Sequence, residues 1–305
     1  MNKVIVLFGP TGVGKTGVSL LLAKELDTEI ISADSMQIYR HMDVGTAKPP
    51  SEERAAVKHQ MIDIVDPWES FSTGKYISTA VPIIKRLHKE RKIPVVVGGT
   101  GLYIKAMTRG IFNGPSADWT LRRELFSREE EEKRSLYNYL KELDPVAAGK
   151  ITQNDTRRII RALEVCLKSN ISMSQMQNEL TVPLPYEFIK IGLTRDRKEL
   201  YGLIEDRVDG MIRSGLIEEV KNILMMSPDR TPMQAIGYKE VALYLNGKIS
   251  LDQAIGLIKR GTKRYAKRQF TWFKKEEGVH WVNLTGVYDS REAFSLVNMT
   301  LKTLL

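Results

Sequence analysis

The sequence predicts an α/β fold: a parallel, doubly wound sheet flanked by helices, with a mainly helical insertion. Three observations predict it. Apolar strand runs alternate with helical periodicity through roughly the first hundred residues. The first run, "KVIVLF", enters the Gly-rich turn "GPTGVGKT" and passes straight into a helical pattern. After about residue 115 the chain becomes charged, helical and poor in strand formers, until "FIKIGLT" (188–194) returns to a strand. Strands separated by helices pair in parallel, and their ligands sit at the carboxyl ends.

Each element follows in order. "KVIVLF" is a buried strand, and "GKTGVSLLLAKEL" is a helix with apolar residues at helical spacing. "EIISAD" is a second strand that ends in an acid, and "HQMIDIVDP" is a possible third, closed by Pro67. "TGKYISTAVPIIKRLHKERK" reads as a helix that tolerates Pro82 near a kink or a helix start. "IPVVVGGTGLY" is another buried strand running into a glycine turn. The Gly-rich turn, Asp34 and "GGTG" therefore all fall at strand carboxyl ends, where one crevice can hold them. The expected organisation is a core of residues 1–115 and 187–305, with residues 116–186 as the insertion. From "DRKELYGLIEDRVDGMIRSGLIEEV" onward the chain reads as helical to about residue 275. The run "REEEEKR" (128–134) is a solvated helix face.

Composition excludes several classes. The chain has 305 residues, 42% of them hydrophobic, enough for one large core and a smaller domain. It contains no apolar run long enough to span a bilayer. Its first residues enter a strand without the features of a secretory signal, so a cytoplasmic protein is expected. A single cysteine, Cys166, excludes an internal disulfide and a cysteine-based metal site. The four scattered histidines argue against a zinc centre. A net charge of +9 favours a polyanionic partner, and a monomer is the default.

The turn fits G-x-x-x-x-G-K-[ST], with Gly9, Gly14, Lys15 and Thr16 in register. Its setting between strand and helix is the one a P-loop requires, so the core is expected to be P-loop NTPase-like. Backbone N–H groups and the following helix dipole cradle a phosphate chain, and most such loops hold ATP or GTP. Lys15 reaches the terminal phosphates and Thr16 suits Mg2+. Asp34, at the end of a strand beside this loop, is either a functional carboxylate (Mg2+ contact or general base) or a helix cap. Ser35 and Gln37 add a hydroxyl and an amide, and a Gln amide matches the edge of adenine. "GGTGLY" puts glycines where the backbone approaches something closely, with Thr100 as a hydroxyl.

Basic residues cluster. Arg157, Arg158 and Arg161 lie in one helix, the last two on one face. "KRGTKRYAKRQFTWFKK" (259–275) holds eight cations, among them Lys263, Arg264, Lys267 and Arg268, and no acid. Positions 260, 263, 267, 271 and 274 form one stripe; Tyr265, Gln269 and Trp272 form another. The cations are expected to bind phosphate, and the aromatics to face the core.

With these residues in place, the chain resembles the tRNA dimethylallyltransferase (tRNA isopentenyltransferase) family nearly end to end. The resemblance rests on "GPTGVGKT", "ISADSMQIYRHMDVGTAKP", "VVVGGTGLY", "LDPVAAGKI…NDTRRIIRALEV", "RVDGMIRSGLIEEV", "QAIGYKE" and "TKRYAKRQFTWFK". It implies transfer of a dimethylallyl group from dimethylallyl diphosphate to N6 of the adenosine 3′-adjacent to the anticodon, with Mg2+ as cofactor. By this likeness the loop of Gly9, Pro10, Thr11, Gly12, Val13, Gly14, Lys15 and Thr16 holds the donor diphosphate, together with Arg207. Asp34 is the general base, Lys15 and Thr100 share the reaction centre, and Thr16 meets the metal. The tRNA, through its anticodon stem-loop, is expected at Asp34, Ser35, Met36, Gln37, Thr100 and Arg123. It is also expected at Arg157, Arg158, Ile159, Ile160 and Arg161, at Gln234, Gly237, Tyr238 and Lys239, and at the basic residues after 262. The residues alone leave other readings open: an ATP-dependent small-molecule kinase, an isopentenyltransferase acting on free adenine nucleotides, or an RNA-binding protein with a vestigial P-loop.

Overall fold

The computed structural model describes residues 2–305. The chain divides into two compact units, one of Met1–Lys105 with Pro185–Leu305 and one of Ala106–Leu184. In the first, six strands form one sheet: β1 (Lys3–Phe8), β2 (Ile30–Ala33), β3 (His59–Gln60), β4 (Val95–Gly98), β5 (Glu187–Thr194) and β6 (Val279–Asn283). Their order is β3-β2-β4-β1-β5-β6, and every pairing is parallel. β1 lies inside the sheet between β4 and β5, and Val4 through Phe8 are all buried. That double burial is why its sequence is continuously apolar rather than alternating.

Helices cover both faces. α1 (Lys15–Glu25) follows β1, and α2 (Ser51–Ala56), α3 (Thr73–Lys89) and α4 (Gly101–Arg109) complete the first half. Ser72 caps α3 through its hydroxyl, and Pro82 lies inside that helix with its ring exposed. The second unit holds α5 (Trp119–Glu131), α6 (Ser135–Leu143), α7 (Pro145–Lys150), α8 (Thr156–Ser169) and α9 (Met173–Glu179). Its core gathers Leu125, Leu136, Leu140, Ile159, Ile160 and Leu163. Buried Asp144 caps α7 and also accepts from the Ser174 amide and hydroxyl at α9, which ties the two helices together. α10 (Arg197–Arg213), α11 (Leu216–Met225), α12 (Tyr238–Leu245), α13 (Leu251–Phe273) and α14 (Ser290–Lys302) then return to the first unit.

Two features depart from the sequence reading. The strand expected over "HQMIDIVDP" is only His59–Gln60, because Met61 and Asp63 take positive φ angles of 65° and 55° and break the ladder. Met61 and Ile62 are buried in loop rather than strand. Beyond residue 275, where the helical reading stopped, β6 adds an edge strand to β5 and α14 packs its Val297 and Leu301 into the sheet core. Among the described residues no helix is long and apolar enough to cross a membrane.

Candidate active site

The Gly-rich loop leaves β1 and opens α1. Gly12 and Gly14 adopt φ angles of 84° and 108°, which a side chain would strain. The Lys15 ammonium donates to the Gly9 and Pro10 carbonyls at 2.9 Å each. Burial, with help from the neighbouring Arg207 guanidinium, brings its pKa down to about 7; the Asp34 carboxylate opposes that shift. Arg207, on α10, donates to the Thr11 hydroxyl at 3.3 Å. Burial lowers its pKa too, and Asp34 again opposes. Two cations thus lie close together beside the loop, where an anion would satisfy both.

Asp34 follows β2. One carboxylate oxygen accepts from the backbone N–H groups of Met36 at 2.9 Å and Gln37 at 3.4 Å. The capping role therefore occupies one oxygen, and a functional role remains open to the other. The Gln37 amide donates to the Thr46 and Ala47 carbonyls at 3.3 Å each, and its oxygen accepts from the Ser32 hydroxyl at 3.2 Å. That loop is itself held from α11. Glu219 accepts from the Asp43, Val44 and Gly45 N–H groups at 2.7–3.0 Å and from the Tyr238 hydroxyl at 2.5 Å. Lys48, nearly sealed from solvent, bridges Asp43 at 2.7 Å and Asp63 at 2.5 Å.

After β4, Thr100 donates its N–H to the Ala33 carbonyl at 3.1 Å, and its hydroxyl accepts the Ser35 N–H at 2.9 Å. Gln269 reaches in from α13. Its carboxamide accepts the Thr11 N–H at 2.9 Å and donates to the Gly99 carbonyl at 2.7 Å. Gly99 permits that approach, since a Cβ there would lie 2.4 Å from the Gln269 nitrogen. Tyr265 lies on the same side of α13 as Gln269, and burial pushes its phenol well above the ordinary range.

Two cavities meet at these residues. One, of about 320 Å3, is lined by the loop from Thr11 to Gly17 with Arg207, Gln37, Leu203 and Ser290. The other, of about 330 Å3, is lined by Ser35, Met36, Val208, Met211, Ile236 and Ile258, with Gln234, Lys239 and Arg268 at its edge. Thr11, Asp34, Thr46, Ala47, Arg207 and Tyr265 line both. A polar chamber and a partly apolar one share a wall that contains Asp34.

The expected residues separate into those that reach a surface and those that do not. Lys15, Thr16, Asp34, Ser35, Met36, Gln37 and Arg207 line the cavities, as do Gln234 and Lys239. Tyr238 and Gly237 are buried, so the tyrosine side chain is not free to contact RNA and packs under the 43–47 loop instead. Ile159 and Ile160 are likewise interior, because they are the apolar face of α8. Arg157 and Arg158 are exposed, and Arg123 is exposed on α5. Arg161 is committed to buried Glu164, to which Arg122 also donates. On α13, Lys259 pairs with Asp209 at 2.7 Å and Lys263 with Glu205, both on α10. Arg264, Lys267 and Arg268 face solvent and, with Thr271, Trp272 and Lys275, line a basic groove of about 500 Å3. The inward aromatic stripe is only partly core, since Tyr265 lines the cavities and Trp272 the groove. Sequence reasoning did not single out Glu219, Lys48 or Ser290. Glu219 binds backbone groups about 175 residues away, Lys48 pairs with acids that form no recognisable motif, and Ser290 reaches the chamber only through the fold.

The geometry can be set beside known proteins. The family model described as IPP transferase matches residues 37–276. A tRNA dimethylallyltransferase from Thermodesulfovibrio yellowstonii is 56% identical, with 94% of each chain covered. One from Thermotoga maritima is 47% identical over 93% of each. Among solved structures, the tRNA isopentenylpyrophosphate transferase of Bacillus halodurans superposes with a TM-score of 0.74 at 41% identity, covering 100% of this chain and 97% of that one. A eukaryotic dimethylallyltransferase described as acting on tRNA superposes with a TM-score of 0.81 at 30% identity, covering 99% of this chain and 80% of that one. The P-loop-like parallel sheet, the paired cavities and these likenesses agree, and the chain belongs to the IPP transferase family.

Proposed function

We propose that the protein transfers a dimethylallyl group from dimethylallyl diphosphate to N6 of the adenosine 3′-adjacent to the anticodon in tRNA, releasing diphosphate. The observation that carries this reading is the position of Asp34 in the wall shared by a cationic chamber and a partly apolar one. A carboxylate there stands where a nucleophile and a leaving group would meet.

The adenine amino group is a weak nucleophile, because its lone pair is delocalised into the ring. An allylic carbon bearing diphosphate is a strong electrophile, so the site's main task is to stabilise the departing charge. The P-loop amides, Lys15 and Arg207 bind the diphosphate as the C–O bond breaks. Asp34 accepts the N6 proton as the C–N bond forms. The adenine must leave its stack to reach a cavity of this kind, as other base-modifying enzymes require. Ser35 and Met36 meet it there, while Gln37, whose amide is bonded to Ser32, Thr46 and Ala47, would have to give up one of those bonds to read its edge. Arg264, Lys267 and Arg268, with Lys239 and Gln234 at the cavity edge, hold the anticodon stem-loop by its phosphates; in the helical unit, exposed Arg123, Arg157 and Arg158 are suited to tRNA phosphate outside that loop.

The residues fit Mg2+. Thr16 supplies a hydroxyl oxygen in the donor chamber, and Mg2+ characteristically takes few protein ligands and completes its shell with phosphate and water. When bound it would offset charge on the diphosphate. We further take the protein to act as a monomer, and in the cytoplasm.

Mass spectrometry of tRNA treated with enzyme and dimethylallyl diphosphate tests the reading. The expected product carries one five-carbon allyl group on the adenosine beside the anticodon. ATP turnover without any prenylation of tRNA would favour a kinase and sink the proposal.

A further inference from the structure

Gln269 has no task in the reaction as described, yet its position is demanding. It lies on the inward face of α13, 6% exposed, and one carboxamide satisfies two backbone groups on two different loops. Thr11 belongs to the loop that carries Lys15. Gly99 precedes Thr100, whose hydroxyl holds the Ser35 N–H beside Asp34. Four residues before Gln269, on the same face of the helix, Tyr265 lines the same chamber as Gln269 and Gly99.

The chemistry of the link is restrictive. It needs one acceptor for the Thr11 N–H and one donor for the Gly99 carbonyl, on a planar group of this length. An ionised carboxylate offers acceptors alone and would set an oxygen against the Gly99 carbonyl. A leucine fills similar space and leaves both backbone groups unpaired. The missing Cβ at Gly99 belongs to the same arrangement, since a methyl group there would meet the Gln269 nitrogen at 2.4 Å.

We propose that Gln269 is a positioning residue for prenyl transfer, a strap that fixes the donor loop against the loop that presents the acceptor. This rests on the dimethylallyl-transfer reading given above. The distance between the allylic carbon and N6 depends on how these loops sit together, and a misplacement of about 1 Å can cost about 100-fold in rate. Gln269 borders the donor chamber, but both ends of its carboxamide are taken by the two loops. Its loss should therefore reach kcat and leave tRNA binding, which depends on exposed cations, in place.

The experiment uses the full chain as wild type, Gln269→Leu, Gln269→Glu, Gly99→Ala and the double variant Gln269→Leu/Gly99→Ala. Each is assayed for kcat and KM with dimethylallyl diphosphate and tRNA, and melting temperatures identify the folded variants. The expected result is a fall in kcat of about 10- to 100-fold in each single variant, with KM for tRNA within about twofold of wild type. The double variant should be no slower than the slower single one, because either change already breaks the link. Gln269→Glu keeps the side-chain shape, so it stays informative if the leucine variant does not fold. Folded variants with kcat within about threefold of wild type overturn the inference. So does a loss confined to KM for tRNA, or losses that multiply in the double variant. A wild type that prenylates no tRNA overturns the functional reading itself, and this inference with it.

Discussion

Lys15 sits under two opposing demands. The loop buries its ammonium and places Arg207 nearby, so its pKa falls to about 7. A diphosphate bound beside it acts in the other direction, since a close anion favours the charged form. The sign follows. At pH 8 the free protein carries Lys15 mostly neutral and the complex carries it charged, so binding must take up a proton. Calorimetry of dimethylallyl diphosphate binding at pH 8, in buffers of different ionisation heat, should show uptake of about one proton, and Lys15→Met should abolish it. Asp34 is tested by rate instead. One of its oxygens anchors the turn and the other is assigned to the N6 proton. Asp34→Asn retains an oxygen for the Met36 and Gln37 amides and loses the base. Single-turnover transfer should slow by about 100- to 10,000-fold while donor affinity stays within a few-fold. A variant as fast as wild type would remove Asp34 from the chemistry.

α13 behaves as a two-sided element. Its inner face holds Gln269 and Tyr265 against the loops, and its outer face shows Arg264, Lys267 and Arg268 to solvent. The six cations of this helix are not equivalent, because Lys259 and Lys263 lean onto acids of α10. Replacing Arg264, Lys267 and Arg268 together by Gln should weaken tRNA binding and make the log–log salt slope shallower by about 2. Replacing Lys259 and Lys263 should change that slope little; an equal change would mean that their ion pairs open for phosphate. α3 offers a purely structural counterpart. Pro82 removes a helical hydrogen bond while its ring stays exposed, so nothing in the packing offsets the loss. Pro82→Ala should raise stability in urea by about 1–3 kcal/mol. The elements read well from sequence were those whose signal is local: β1 and β4 as unbroken apolar runs, α1 behind its glycine turn. β3 was misread because Met61 and Ile62 are apolar for burial in a loop. β6 escaped because it is an edge strand, whose His280 and Trp281 are exposed and whose apolar pattern is weak.

For the molecule as a whole, the loops of the site could be read early and their scaffold could not. Gly9–Thr16, Asp34 and Thr100 are contiguous with strands, so topology alone brings them to one crevice. Gln269 is bound to partners 258 and 170 residues away, and Glu219 to a loop about 175 away. Only the fold joins them. The overall charge belongs to this level too. A net +9, with exposed cations at the cavity edge and along α13, attracts a polyanion far more than a mononucleotide. If Lys239, Arg264, Lys267 and Arg268 each meet a phosphate, the log–log salt slope for an anticodon stem-loop is about −3. Raising salt from about 50 to 200 mM should then cost the stem-loop about 50-fold in kcat/KM. AMP engages at most the cations near the cavity, so its slope should be several-fold shallower. The ratio of kcat/KM for stem-loop over AMP, measured across that salt range, should therefore start large and shrink steeply. A small ratio that salt does not move would identify the free-nucleotide enzyme instead, because such a substrate leaves the outer face of α13 without a partner.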